Sequence, residues 1–294
     1  FAPISDEDKL TIARKFLMAA PPGEFKEVLK DVRILVGNDE LLDSQLGEFQ
    51  RAYNTEQLIP PTDQKFPICS AGEIDGENYV DPANDKVVTV NHANLESSST
   101  RDIEEHERCA EGEDFRLAAQ KAASAYAYEF YRDAVSGAFA RSEGGEVVIT
   151  IGICGTKSSP RAMWSGRWRS LWSVRLSPGG GTGQLAGRIN VLVHYYEDGN
   201  VQMNASKEFN ESLSFSSPEE FGDSLSKFLT QTENKYQQSL GQEYHNLSET
   251  SFKALRRKMP LTQQRFQWQQ ISKYSLAKEL AAKQVATNTC CRIP

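Results

Sequence analysis

From Val147 to Ser216 the chain returns repeatedly to β-type patterning, with no helical period between the runs. Val147-Val-Ile-Thr-Ile-Gly-Ile is a β-branched run, and Arg167–Leu176 alternates Trp168, Ser170, Trp172 and Val174 on one face. Leu185–Tyr196 follows, then a hairpin signal, Glu197-Asp198-Gly199-Asn200, leads into Val201-Gln-Met-Asn, and Phe209–Ser216 adds one more candidate strand. Parallel neighbours need long crossovers, usually helical, so strands joined without helices predict an antiparallel sheet. Pro218 then opens a helix with Glu219 and Glu220 in its first turn. Its stripe of Phe221, Leu225, Phe228, Thr232, Tyr236, Leu240, Tyr244, Leu247 and Leu255 runs to Pro260. Some forty residues at about 1.5 Å each would span ~60 Å, more than one small sheet needs as a cover. The excess length predicts a second sheet, supplied by a partner.

Upstream the periodicity is helical. Ser5 caps a helix with an acidic first turn (Asp6, Glu7, Asp8) and apolar positions at Leu10, Ala13, Phe16, Leu17 and Ala20. Pro21-Pro22-Gly23 stops it. A second helix carries Phe25, Val28, Leu29, Val32, Leu35 and Val36, Gly37-Asn38-Asp39 ends it, and a third runs from about Glu40 to Tyr53. The expected organisation is a three-helix bundle over 1–55 and a β-rich region over 56–217 with one helix near 114–133. The long helix then occupies 218–259, and an amphipathic segment and tail occupy 260–294. Short β runs are expected at Phe66–Cys69, Asn78–Val80 and Lys86–Val90, and a polar surface loop over Glu96–Glu113.

Charge divides the chain unevenly. Thr250–Pro294 holds nine basic residues (Lys253, Arg256, Arg257, Lys258, Arg265, Lys273, Lys278, Lys283, Arg292) against Glu279, a net +8. The whole chain carries −7, which leaves −15 on residues 1–249. A basic, amphipathic arm on an acidic body predicts an acidic partner. The acidic body argues against general nucleic-acid binding. No run approaches the ~18 apolar residues of a membrane span, and FAPISDEDKL lacks the pattern of a signal peptide. Five scattered cysteines without CxxC spacing fit a cytosolic home.

Little points to catalysis or to cofactors. Gly179-Gly-Gly-Thr-Gly183 lacks the Gly-Lys-Ser/Thr ending of a phosphate loop and reads as an inter-strand connection. His92, His106, His194 and His245 form no paired-ligand spacing, and no GxSxG is present. Trp164-Ser-Gly-Arg-Trp168-Arg-Ser-Leu-Trp172, with Arg167 and Arg169 between its tryptophans, could bind a ligand through cation–π contacts, but Trp168 and Trp172 share one strand face, which favours packing in the core. Trp268, Ile271, Tyr274, Ala277, Ala281 and Val285 recur at helical spacing, with Leu280 beside them. That stripe suits a packed helix, a helix-in-groove ligand, a calmodulin-like target or a membrane-surface helix, and spacing does not choose among them.

Several long motifs together resemble the α subunit of the heterodimeric F-actin capping protein. They are Ala20-Pro-Pro-Gly-Glu-Phe25 with Asp31-Val-Arg33, Trp164-Ser-Gly-Arg-Trp-Arg-Ser170, Val193-His-Tyr-Tyr-Glu-Asp-Gly-Asn-Val-Gln202, and Ser251-Phe-Lys-Ala-Leu-Arg-Arg257 with Pro260 and Trp268. The match spans nearly the whole chain and is weak over residues 60–145. It implies an α+β fold with an N-terminal helical stalk, a central antiparallel sheet, a long helix and a terminal amphipathic helix, or tentacle. It further implies a β subunit of like fold that completes the sheet, and calcium-independent, non-catalytic capping of barbed ends of actin filaments in the cytoplasmic actin cytoskeleton, with no cofactor.

The same resemblance places the actin contacts on Lys253, Arg256 and Arg257, with Lys258 in the same patch. A further family arginine falls on Gln263 here, and Arg265, two positions on, is the compensating charge. The tentacle corresponds to Phe266–Val285, with Trp268, Ile271 and Leu280 as apolar contacts. Phosphoinositides and regulators of capping protein are the other expected partners. The rival expectation is a cytoskeletal adaptor that binds phosphoinositides or membrane through the basic C-terminal helix.

Overall fold

The computed structural model describes residues 4–247 apart from residue 132 and residues 160–162, 177–180 and 196–200. Two compact units divide the chain at Glu233/Asn234. The first begins with α1 (Asp6–Met18), α2 (Phe25–Val36) and α3 (Asp39–Glu56). Ser5 caps α1 by accepting from the Asp8 amide at 3.1 Å, and Asn38 caps α3 through the Leu41 amide at 3.1 Å. Gly37 closes α2 at φ 64°, a left-handed turn that glycine adopts without steric cost. The helices bury Ala13, Leu17, Val32, Val36, Leu42 and Phe49 together. Fully buried leucines such as Leu17 and Leu42 contribute about 1.5–3 kcal/mol each.

A small antiparallel sheet follows, in the order β1 (Asn78–Asp81), β2 (Lys86–Val90), β3 (Ser97–Asp102). It corrects two expectations. Phe66–Cys69 is no strand: Phe66 and Ile68 are fully buried against Tyr79, Val88 and Val90, without a ladder of their own. The polar loop expected over 96–113 contains β3, which is exposed and has no apolar alternation to announce it. Its stability comes from the backbone ladder to β2.

Helix α4 (Glu113–Phe130) leads into a five-stranded antiparallel sheet. Its order is β4 (Val135–Glu143), β5 (Glu146–Ser159), β6 (Trp164–Leu176), β7 (Thr182–Tyr195) and β8 (Val201–Ser214). Strand β4 is not legible in the sequence, because the small residues Ser136, Gly137 and Ala138 separate its buried Val135 and Phe139 and show no apolar alternation. Gly144 and Gly145, at φ 61° and 84°, form the tight hairpin into β5. The two runs expected at Val201–Asn204 and Phe209–Ser216 are one strand, in unbroken register with β7 from Val201 to Ser214. The predicted turn at Glu197–Asn200 lies outside the described residues. Opposite Trp172 in the ladder stands Gly187, where a Cβ would meet Trp172 Cε3 at 2.2 Å. The indole therefore lies across the bare backbone of β7.

Helix α5 (Pro218–Leu247) covers thirty described residues. Its buried face within the first unit is Phe221, Gly222, Leu225, Leu229 and Glu233. The stripe expected from the sequence passed through Phe228 and Thr232 instead, because a glutamate did not count as a core position. The described part of the second unit is the end of this helix, Asn234–Leu247. Residues 248–259, expected to continue it, and the expected terminal helix lie outside the described residues.

Two predictions follow from this packing. Gly187→Ala should destabilise the fold by about 1–3 kcal/mol in urea titration, through displacement of Trp172. The second concerns His92, whose ring nitrogens meet Asn54 Nδ2 at 3.2 Å, the Gly76 carbonyl oxygen at 3.0 Å and the Tyr79 hydroxyl at 3.2 Å. Burial pulls its imidazole below the ordinary value, with Arg51 adding to the effect and the Gly76 bond, Glu73 and Glu77 opposing it. A native pKa below the unfolded one means stability is full above about pH 6.5 and is lost as pH falls toward the native value. The loss between about pH 7 and about pH 5 should be smaller in His92→Gln than in the parent chain.

Candidate functional site

Lys253, Arg256, Arg257, Lys258, Arg265, Trp268, Ile271 and Leu280 all lie outside the described residues. What the structure does describe is the framework that precedes them in the chain, and its chemistry is concentrated on the two faces of β6.

On one face of β6, Trp168 and Trp172 are buried, and both indole N–H groups donate to the same carboxylate. Trp168 Nε1 reaches Glu233 Oε2 at 2.8 Å and Trp172 Nε1 reaches Glu233 Oε1 at 3.1 Å. The Tyr126 hydroxyl of α4 donates to Oε2 at 3.0 Å, and the Tyr131 hydroxyl does so at 3.2 Å. Ser170, also buried, lies near enough to favour the charged form but outside hydrogen-bond geometry. Glu233 has no solvent exposure. Burial pushes its carboxyl upward from the ordinary value, while the hydrogen bonds pull it back. Burial, reinforced by the Glu233 charge, pushes both phenols upward as well, so they remain neutral donors. Trp172 also packs edge-on against Phe228 of α5 at 5.0 Å and at a tilt against Phe209 of β8 at 5.5 Å. The tryptophans are thus core residues, as their shared face suggested, and they are donors too. The acceptor was missed. Its one sequence signal is that Phe221, Leu225, Leu229 and Glu233 recur every four residues.

The other face of β6 meets the helical bundle. Arg167 Nε donates to Thr156 Oγ1 at 3.1 Å and Arg167 Nη1 to Gln57 Oε1 at 3.3 Å. Arg169 donates to the Glu56 carbonyl oxygen. Neither arginine sits on a tryptophan. The cation–π contact at this motif comes from Lys157, 5.5 Å from the Trp164 ring. Glu24, just before α2, bonds His194 Nδ1 at 2.6 Å and accepts from the Ser165 hydroxyl at 3.4 Å. Serine, histidine and glutamate meet here, but the serine bonds the glutamate rather than the imidazole and is 2% exposed. That arrangement joins elements and does not activate a nucleophile. Among the described residues no group of His, Cys, Asp and Glu could hold a metal ion.

Beside this joint, a groove of about 1060 Å³ runs between α3 and the open sheet face. Arg51, Arg141, Arg169 and Arg188 line it together with Glu56, Glu73 and Glu208. Arg51 pairs with Glu73, Arg188 with Glu208, and Arg141 donates to the Ala71 carbonyl oxygen at 2.9 Å. These charges are largely satisfied within the groove, so it presents no strong field of either sign.

Both indole donors are fixed in direction and use different oxygens of Glu233. An amide could satisfy only one of them, wherever its NH₂ pointed. Glu233→Gln should therefore destabilise the fold by about 1–3 kcal/mol in denaturant titration, the cost of one orphaned buried donor.

Comparison with known proteins places this framework among relatives. Residues 13–279 match the family described as F-actin capping protein alpha subunit. A Dictyostelium discoideum protein named F-actin-capping protein subunit alpha is 34% identical over 286 residues, covering 94% of this chain and 99% of the relative. Proteins of the same name from Chaetomium thermophilum and Caenorhabditis elegans are 33% and 32% identical, covering 93% and 94% of this chain and 96% and 99% of themselves. Among solved structures, the homodimeric actin capping protein alpha subunit of Plasmodium berghei superposes with a TM-score of 0.70 at 22% identity, covering 87% of this chain and 98% of that one.

Proposed function

This chain belongs to the F-actin capping protein alpha subunit family, and we propose that it works as the α half of a heterodimer that binds the barbed ends of actin filaments and blocks both addition and loss of subunits. The observation that carries this reading is the extent of the family match. It runs over the bundle, the sheet, α5 and the basic segment through residue 279, and is not confined to one motif. Actin capping is the role that the relatives' names give them.

In this reading the organisation is a helical stalk, a sheet platform, a long helix and a terminal tentacle. A β subunit of like fold adds its strands at the β8 edge, which meets no further strand among the described residues. Lys253, Arg256, Arg257 and Lys258 carry the encounter with acidic actin, and Arg265 supplies the charge that Gln263 lacks. Phe266–Val285, through Trp268, Ile271 and Leu280, slows release. Charge complementarity raises the on-rate, and apolar contacts made after docking lower the off-rate. Capping takes place in the cytoplasm and consumes no cofactor. Anionic phosphoinositide headgroups would compete for the same lysines and arginines.

The test is seeded elongation from barbed ends with this chain co-expressed with a β subunit. Growth and shrinkage at that end should both stop at substoichiometric heterodimer, and unimpeded growth would overturn the reading. Reversing the charges of Lys253, Arg256 and Arg257 together should cost about 2–5 kcal/mol of capping affinity. Deleting residues 266–294 should act mainly on the off-rate, read by dilution of capped filaments.

A further inference from the structure

Strand β3 is an outer strand of the small sheet, and no described strand pairs with its far edge. Ser98, Ser99, Thr100, Arg101 and Asp102 are all exposed. With no side chain buried in the core, the strand is held by its ladder to β2 and by surface contacts, so its local opening costs far less than global unfolding. An extended, exposed backbone with an accessible edge is the form in which a chain segment enters another protein's groove.

Across this sheet Asn78, Thr89 and Ser99 stand in one row. Asn78 Nδ2 donates to both oxygens of Asp75 at 2.8 Å, and its Oδ1 accepts from the Thr89 hydroxyl at 2.6 Å. The Thr89 proton is thereby committed, so the 2.7 Å contact between Thr89 Oγ1 and Ser99 Oγ uses the Ser99 proton. Ser99 is the surface end of this row, a donor whose oxygen keeps its lone pairs toward solvent.

Downstream of Ser99, exposed acids stand three, five and six positions on, at Asp102, Glu104 and Glu105. The neighbouring hydroxyls lack that pattern. Three positions beyond Ser98 is Arg101, beyond Thr100 is Ile103, and beyond Ser97 is Thr100. Ser97 is also tied down, its hydroxyl donating to Asp63 and accepting from Gln64 Nε2 at 3.3 Å.

We propose that Ser99 is a phosphorylation site for a protein kinase with a basic substrate groove, and that the phosphate recruits Arg101 away from Glu107. The Ser99 oxygen attacks the γ-phosphorus of a bound nucleoside triphosphate, and a new O–P bond forms as the bond from that phosphorus to the β,γ-bridging oxygen breaks. The nucleoside diphosphate leaves, and the hydroxyl proton passes to the kinase's carboxylate base. The proposal goes beyond the capping reading: Ser99 is remote in sequence from the basic arm, and its test uses no actin.

Arg101 lies two positions along β3 and so shares a face with Ser99. Its guanidinium contacts Glu107 twice, Nη1 to Oε2 at 2.7 Å and Nη2 to Oε1 at 2.5 Å. That contact is the main reason the Glu107 carboxyl is held down at about 2, with burial opposing it. Glu107 also accepts from the Glu104 amide at 2.9 Å and so closes the turn over Glu105–Glu107. A phosphate carries about −1.5 to −2 at pH 7 against −1 for a carboxylate, and offers three acceptor oxygens. Arginine binds it in the same two-pronged way. With Arg101 on the phosphate, Glu107 keeps only its backbone donor and the 104–108 turn loosens, while β1 and β2 keep their ladder.

The full chain is incubated with ATP and an acidophilic serine kinase, and the phosphate is located by tandem mass spectrometry of peptides covering residues 96–109. Phosphate should appear at Ser99 and be missing from this segment in Ser99→Ala. Neutralising the acids together (Asp102→Asn, Glu104→Gln, Glu105→Gln) should slow modification of Ser99 by about tenfold or more, with circular dichroism confirming the fold. No phosphate at Ser99, phosphate on Ser97, Ser98 or Thr100 instead, or an undiminished rate in the neutralised variant would each overturn the site. Arg101 is tested on the modified chain by ³¹P NMR titration. Its positive charge should lower the second phosphate ionisation below about 6, and Arg101→Gln should return it there. Hydrogen exchange over Glu104–Arg108 should quicken on modification while β2 is unchanged. An ionisation indifferent to Arg101→Gln, or an unchanged exchange rate in that turn, would overturn the recruitment of Arg101.

Discussion

A carboxylate with no solvent exposure and, among the described residues, no cation in its hydrogen-bond shell holds the centre of this structure. Glu233 accepts from Trp168 and Trp172 of β6, from Tyr126 of α4 and from Tyr131 just after it. Burying an isolated carboxylate costs several kcal/mol, and charged hydrogen bonds return about 1.5–3 kcal/mol each, so the site is tolerable only with its donors in place. The consequence is positional. Sliding α5 by one residue would turn the carboxylate by about 100° away from both indoles. Apolar contacts such as Trp172–Phe228 would survive a small shift, whereas four convergent donors would not. Helix register on the sheet is therefore set by a polar node inside an apolar interface.

The same strand explains why the sheet and the helical bundle act together. Even-numbered positions of β6 serve the helix side, and odd-numbered positions bring Ser165, Arg167 and Arg169 to Glu24, Gln57 and Glu56. Trp172 needs a glycine opposite it, and Gly187 supplies one. A family motif in this stretch is thus a two-sided junction. Its residues are constrained by packing and hydrogen bonding, with no direct contact to actin required to account for them.

How much could be read in advance depended on the physical signal each element carries. Helices α1–α3 and strands β5–β7 announce themselves through caps, apolar periods and β-branched runs. Strand β3 does not, because Ser97–Asp102 is polar on both faces and is held by its ladder. Strand β4 does not, because Ser136, Gly137 and Ala138 bury little area per residue while fitting closely under α4. Glu233 reads as solvated until its neighbours in space are known, since charged residues are almost never fully buried unless paired. The proposed actin contacts were reached by the opposite route. Charge asymmetry pointed to an acidic partner, and only the long motifs narrowed that to a filament end.

Labour is divided along the chain: a platform closed by Glu233, and beyond it in sequence the basic, amphipathic arm proposed to bind actin. Centrally, the node makes the first part of α5 one cooperative body with the sheet. Native-state hydrogen exchange on the full chain tests this most directly, through the amides of Leu229–Glu233 and those of Ser170–Val174 in β6. The account predicts the same opening free energy for both segments, equal to that of global unfolding. Exchange of Leu229–Glu233 through a low-energy local opening, with β6 still protected, would contradict it.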